Sequence, residues 1–507
     1  MKKFSRFLCL VLALCMMLSA AACGSSDGAN SEPVSTDSST QVDSTGTDEQ
    51  ASSATDTSGG SSEKTDAQSA PSTSKPQTNS QASKPQANKP AQNASKPAAN
   101  TQTTVSASGS WQNVLKSMPK ELRGTSIEIF HWNPSSELPN GANVITKFQQ
   151  QTGIKVNWKV ASYDNYDVEL QARVAAGKSP DIVLFQWMNS NRAKLCQPVT
   201  GVGFNFNNSD WDKELMKYYT VKGKTYAVNM KGTFLNRPSA IFYNKTLIEK
   251  YDFEDPYTLW KQGKWTESKF MEMCEEFKRT VNGPAWSASK WDVWALLYGL
   301  QSEISYKDGK YGNNLKDKKA ITAWQRCAEF NQSGLVDTSW DTNGFEAGKY
   351  LFFDTSLMYT RTTQPYFSNL KSSGTLGVVP FFKVDGQSTQ YQLMSEYEAY
   401  GFAKGAKNAK GAAFFLRYYL DPASYDAKTF FCTEQAKEVY EYAMKQPNRI
   451  MHNRYPLGSG NSTSPVHDVR LALQQATPAQ VPTLLNQYVS VVGAAVEDLN
   501  KRLNELP

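Results

Sequence analysis

"SPDIVLFQW", residues 179–187, decides the fold. Ile182, Val183, Leu184 and Phe185 form a short unbroken apolar run, the pattern of a strand covered on both faces as in a parallel sheet. A helix-patterned segment, "YDVELQARVAAGKSPD", ends at Gly177 and Pro180 and leads into it. Upstream, "SIEIFHWN" (126–133) is a second β-rich run. Both runs end in a large amphipathic ring, Trp132 and Trp187. Either these rings cap the core, or they line a crevice at the carboxyl ends of the strands, where open α/β sheets bind ligands.

Between the two runs, "NVITKFQQQTG" (143–153) is helical, with Val144, Ile145 and Phe148 on one side and Gly153 closing it. "IKVNWKV" (154–160) alternates, with Lys155 and Lys159 opposite the apolar positions, which fits an edge strand. Two βαβ units in succession argue for an open, doubly wound sheet. Further on, "YTVKGKTYAVNM" (219–230) reads as a hairpin and "SAIFYNKTLIEKY" (239–251) as a strand feeding a helix. In "GKWTESKFMEMCEEFKRTV" (263–281), Thr266 is the cap of a helix, and Trp265 with Phe270 forms a hydrophobic staple. Trp265 is therefore structural, and Trp294, three residues after Trp291, belongs to the core. Segments 345–354, 374–382 and 397–406 read as later strands, and the chain closes on an amphipathic helix.

The N-terminus is of another kind. Lys2, Lys3 and Arg6 precede a short apolar stretch ending in "AAAC" at Cys23, the pattern of an export signal rather than a membrane span. It resembles a bacterial lipoprotein signal in which Cys23 is lipidated, although Ala20 stands where such signals usually carry Leu. An ordinary secretory signal cut near Ala22 is the alternative. Residues 24–110 hold no Leu, Ile, Met or aromatic residue and carry a loose repeat of SKP or NKP at 74, 83, 88 and 95. Such a chain buries too little apolar surface to offset its ordering entropy, so it reads as a disordered linker. As a flexible coil it spans on the order of 50 Å.

The body, residues 111–507, has a net charge of +7 once the +3 signal and −4 linker are taken from the chain's +6. That weak bias, with no basic run or nucleic-acid motif, implies no nucleic-acid partner. Cys196, Cys274, Cys327 and Cys432 are scattered without metal spacing, and no cofactor or metal motif occurs. The Ser-x-x-Lys matches at 117–120 and 287–290 lack the companion motifs of penicillin-binding enzymes. His131, at a strand end, is a hydrogen-bonder rather than a catalytic base.

The order of a lipoprotein cysteine, "AAGKSPDIVLF", "VKGKTYAVNM", "AIFYNKTLIEKY", "GKWTESKF", "FEAGKYLFF", "LGVVPFFK" and "GFAKGAKNAKGAAFFLRYYL" resembles the extracellular solute-binding lipoproteins of bacterial ABC importers, in the sugar-binding, maltose-binding-protein-like branch. The resemblance covers residues 124–507. It implies a two-lobed periplasmic-binding-protein-like α/β fold, each lobe an open, mostly parallel sheet flanked by helices. Hinge strands crossing near 237–243, 349–356 and 397–404 divide the body into lobe 1 (about 124–238 and 352–400) and lobe 2 (about 239–351 and 401–507). It also implies a monomer that is no enzyme, held by lipid on the outer face of the cell membrane, passing a carbohydrate to an ABC permease. Trp132, Asn133, Gln186, Trp187 and Asn189 would line the cleft from the first lobe. Trp286, Trp291 and Asp292 would line it from the second, with Glu396 and Tyr397 beside them. Many relatives carry Gly-x-Trp after the "GK-A-x-F" strand; here "FFDTSLMYTRTTQ" (352–364) lacks Trp, so Tyr359 or Arg361 stands in its place. The abundance of rings favours an oligosaccharide. A tethered carbohydrate-active enzyme, or a surface sugar sensor or adhesin of the same fold, remains the alternative.

Overall fold

The computed structural model describes residues 104–105, 108–137, 141–185, 188–288, 291–300, 303–396, 398–451 and 465–506, all within one compact unit, Lys96–Pro507. Cys23, the linker up to residue 103, Gln186, Trp187 and Tyr397 lie outside the described residues, and Trp291, Asp292 and Glu396 are described by their backbone alone.

The strands are β1 (Ser126–His131), β2 (Lys155–Val160), β3 (Ile182–Phe185), β4 (Cys196–Gln197), β5 (Thr220–Val221), β6 (Lys224–Thr225), β7 (Arg237–Asn244) and β8 (Trp286–Ala288). They continue with β9 (Ile304–Lys307), β10 (Lys310–Asn313), β11 (Val336–Asp337), β12 (Phe352–Ser356), β13 (Leu376–Val379), β14 (Gln392–Glu396), β15 (Ala399–Ala403) and β16 (Arg449–Met451).

The first sheet runs β2-β1-β3-β15-β4. β1 is parallel to β2 and to β3, and the wholly buried Ile182–Phe185 run sits at its centre, as its composition predicts. β2 is the edge, with both lysines exposed. Asp181 fixes the start of β3: one carboxylate oxygen accepts the Glu128 N–H at 2.9 Å and the other the Asn408 N–H at 2.7 Å. The helix Ala409–Tyr419 packs back on this sheet, with Tyr419 against Trp158 of β2 and Tyr400 of β15, while Phe148 of the helix Gly141–Thr152 meets Phe415 edge-on at 5.1 Å. Gly401 in β15 is required by close approach, since a Cβ there would meet the Tyr226 carbonyl oxygen at 2.6 Å.

The second sheet runs β11-β8-β12-β7-β14-β16, with β13 also on β7. β7 is buried along its whole length and runs against β12, β13 and β14, so this sheet is mixed rather than mostly parallel. Its aromatic core contains Phe270, Trp286, Trp294, Phe352 and Phe382, with the Trp286 and Trp294 rings 4.1 Å apart. Thr266 caps the helix Glu267–Val281 by accepting the Lys269 N–H, and Trp265 meets Phe270 edge-on at 6.0 Å. The staple read from the sequence forms.

Three boundaries differ from the sequence reading. The chain does not return to the first lobe at 349–356, because β12 pairs with β7 from Phe352 opposite Tyr243 to Ser356 opposite Ser239. Residues 352–396 belong to the second lobe, whereas β15 and the helix Ala409–Tyr419 belong to the first. A strand buried along its whole length, as "LFFD" is, needs neighbours on both sides, and composition does not say which sheet provides them. The body also begins before residue 111: Val105 bridges Phe204, donating to the Gly203 carbonyl at 3.1 Å and accepting the Asn205 N–H at 2.9 Å. No described helix is long and apolar enough to cross a membrane.

Candidate functional site

The pairings dictate where the lobes face each other. β14 ends at Glu396 and β15 begins at Ala399, paired with Phe185 at the end of β3. The carboxyl ends of β1 and β3 therefore meet the carboxyl end of β14. Because β7 is antiparallel to both β12 and β14, β12 points the same way as β14, and β8 and β11 run parallel to it. All these ends converge on the 396–399 junction, which defines a cleft. The hydroxyl of Tyr311 in β10 reaches the Met188 carbonyl at 2.7 Å, so the second lobe touches the segment after β3.

Buried polar groups hold the junction. Arg237 at the start of β7 pairs with Glu398 at 3.1 Å, and the Tyr400 hydroxyl donates to the same carboxylate at 2.6 Å. Leaving either charge without its partner in such a setting is strongly destabilising. His131 ends β1 fully buried; its Nδ1 accepts the Asn133 N–H at 2.8 Å, so the proton resides on Nε2. Burial pushes its pKa down to about 4, against a smaller opposing pull from Glu398. His131 is neutral at physiological pH, a strand-end hydrogen-bonder.

On the first-lobe side Trp132 is partly buried, meeting Tyr163 and Tyr166 edge-on at 5.2 and 5.0 Å. Beneath it, Arg192 lies 5.5 Å from the Trp132 ring centre and 4.6 Å from that of Tyr166, with its Nε on Asp167 at 2.7 Å. The ring is thus clamped by neighbours while part of it stays accessible. Asn133 uses both backbone groups locally, its carbonyl accepting Trp158 Nε1–H at 2.9 Å.

On the second-lobe side, where β11 and β12 end, Trp340, Tyr359 and Tyr366 form a three-ring surface with centroid separations of 6.2, 5.7 and 5.0 Å. Trp340 and Tyr366 are each 37% exposed. Trp340 and Phe367 both adopt left-handed backbone angles, φ 54° and 59°. Such angles cost a non-glycine residue on the order of 1 kcal/mol each, and they cluster at ligand sites.

Three sequence candidates are displaced from the cleft. Trp286 is 1% exposed, with its Nε1–H on Asp354 at 2.8 Å, and it fills the second-lobe core, since β8 lies between β11 and β12 and the Trp286 ring packs on Phe270, Trp294 and Phe330. Asn189 is spent on scaffolding: Oδ1 caps the helix Ser190–Lys194 and Nδ2 donates to Asp167 at 3.0 Å. Arg361 is 2% exposed and turned inward, donating to the Phe234 carbonyl at 2.7 Å. Of the pair nominated for the missing tryptophan, Tyr359 stands in the ring surface. Trp340, Tyr366, Tyr163 and Arg192 were not singled out from sequence; the visible signal was a tryptophan in the polar turn "TSWDTN". Among the described residues no group of three or more His, Cys, Asp or Glu is placed to hold a metal ion.

Residues 143–430 match the profile of the bacterial extracellular solute-binding protein family. Solved proteins share the fold at low identity. The GacH receptor of Streptomyces glaucescens, solved unliganded and with acarbose, is 15% identical over 76% of this chain and 99% of its own, with a TM-score of 0.54. The galacto-N-biose/lacto-N-biose I-binding protein of Bifidobacterium longum, solved with lacto-N-biose, is 17% identical over 74% and 97%, with a TM-score of 0.53. The bacterial solute receptor AcbH, described as exclusive for β-D-galactopyranose, is 12% identical over 74% and 100%, with a TM-score of 0.55. No curated protein sequence matches the chain.

Proposed function

This chain belongs to the bacterial extracellular solute-binding proteins, and from that premise we propose that it captures a carbohydrate between its lobes and delivers it to the permease of an ABC importer. It is a binding protein and not an enzyme. The observation that carries the carbohydrate reading is the pair of aromatic walls: Trp132 on one side, and Trp340 with Tyr359 and Tyr366 on the other. Apolar sugar faces stack on such rings while neighbouring polar groups satisfy the hydroxyls. Proteins of the same fold hold acarbose, lacto-N-biose and galactopyranose, which supports the class. Ring surfaces on both lobes favour a ligand of more than one sugar unit. In this reading Cys23 carries the lipid that tethers a monomer to the outer face of the membrane, and the linker lets the body stand away from it.

The test is a fluorescence titration of the full chain with mono-, di- and longer saccharides, together with amino acids and short peptides. Saturable quenching by a saccharide, tighter for the longer ones, is expected. Saturation by a peptide or amino acid alone would overturn the carbohydrate reading.

A further inference from the structure

A second cavity, of about 390 Å³, lies where the lobes adjoin and shares no lining residue with either aromatic wall. Asp212, the cap of the helix Lys213–Lys217, and Lys213, its first residue, form the first-lobe side with Lys231. Tyr440 and Met444 of the helix Glu434–Lys445, which packs on β7 and β13, form the second-lobe side with Arg449 of β16. The Arg449–Asp212 ion pair, 3.2 Å, spans the seam. Its volume falls within the range of small-molecule sites.

The charges around it do not cancel. Its three carboxylates are engaged: Asp212 with Arg449, Glu214 with Lys217 at 2.8 Å, and Glu441 with Lys445 at 3.5 Å. Lys213 and Lys231 have no carboxylate partner among the described residues; the Lys213 ammonium donates to the Phe206 carbonyl and to Asn207 Oδ1. Burial and then the Lys231 charge hold Lys213 below the usual lysine range. Behind Phe234, which also lines the cavity, the buried Arg361 guanidinium donates to the Phe234 carbonyl and lies 4.9 Å over the Phe430 ring, with no ion pair among the described residues. The apolar walls are Phe234, Tyr440 and Met444.

We propose that this seam cavity is a second ligand site, separate from the cleft, for a small organic carboxylate with an apolar body. The carboxylate lies between Lys213 and Lys231, and the apolar body lies against Phe234, Tyr440 and Met444. Two uncompensated ammonium groups beside an apolar wall favour an anion over a neutral solute, while the wall disfavours a fully hydrated inorganic anion.

The probes are octanoate, its neutral twin 1-octanol, and inorganic phosphate, titrated calorimetrically into the full chain. Octanoate is expected to saturate one site, with octanol at least ~10-fold weaker and phosphate without measurable binding. The double variant Lys213→Ala/Lys231→Ala should weaken octanoate at least ~10-fold with its melting temperature unchanged, since one or two lost charge-assisted contacts are of that size. Met444→Trp, which fills the cavity, should abolish binding; should it fail to fold, the lysine pair still decides. The proposal is overturned if octanoate does not saturate, if octanol binds as tightly, if phosphate binds with the same lysine dependence, or if the lysine variant binds octanoate normally.

Discussion

Trp265 and Trp340 occupy the same place in the same local pattern and meet opposite fates. Each stands one residue before a helix cap, Thr266 or Asp341, and each has a phenylalanine five residues further on, Phe270 or Phe345. In the first case the staple closes, and Trp265 is 2% exposed with its Nε1–H on the Pro380 carbonyl at 2.9 Å. In the second, the backbone at Trp340 turns to φ 54°, Phe345 packs against Phe353 and Phe367, and the Trp340 ring lies among Tyr359 and Tyr366 at 37% exposure. Helix length separates them: a 15-residue helix offers a continuous apolar stripe to cover, a five-residue helix does not. A staple pattern therefore identifies a helix start, and the length of that helix decides whether the ring is structural or left for a ligand.

The comparison breaks first at Trp265. Trp265→Ala should lower stability by roughly 3–5 kcal/mol, the usual cost of deleting a buried tryptophan. Saccharide affinity should be intact in the fraction that folds, with thermal unfolding and fluorescence titration as the two measurements. A small loss of stability would mean that burial does not distinguish the two tryptophans.

His131, a fully buried ring beside the partly buried Trp132, sharpens the contrast through pH. Its pKa falls from 6.5 to about 4 on folding, so between those values the unfolded chain binds the extra proton. The stability it contributes is present above pH about 6.5 and is lost as pH falls toward 4, by on the order of 3 kcal/mol. His131→Gln should flatten that acid limb in denaturant titrations across the window, while leaving saccharide binding unchanged between pH 6.5 and 8.

At the walls the effect moves from stability to binding. Trp132→Ala and Trp340→Ala should each weaken saccharide binding by roughly 1–3 kcal/mol, about 5- to 150-fold. Trp340→Ala should change stability by less than about 1 kcal/mol, because its ring is only partly covered. Early melting with normal affinity in both would make them core residues.

The smallest effect isolates the backbone. Trp340→Gly should be more stable than Trp340→Ala by about 1 kcal/mol, since only glycine takes a left-handed angle without strain. Equal melting temperatures would show that the loop relaxes once the ring is gone.

Elements with strong local signatures were legible in the sequence. The β1–β3 units, the Trp265 staple, the Lys222–Gly223 hairpin with positive φ at both residues, and the core position of Trp294 all read correctly from period, cap and turn chemistry. The readings that failed depend on contacts distant in sequence. "LFFD" looks the same in either lobe's sheet, and Trp286 looks available until Trp294, Phe270 and Asp354 close around it. Asn189 reads as an amide beside a cleft, yet its partner Asp167 lies 22 residues earlier. Trp340 escaped notice because nothing in its own segment shows that Tyr359 and Tyr366 come to meet it.

The start of the body has a mechanical consequence. Val105 is stitched to Gly203 and Asn205, the Gly109 N–H to Asp210 at 2.9 Å, and Trp111 packs 4.7 Å from Tyr418, all partners in the first lobe. Tension arriving along the chain from upstream is therefore borne by that lobe alone and bypasses the crossings at β7 and β14–β15. A pull applied at Val105 would drag the molecule by its first lobe without prying the two lobes apart.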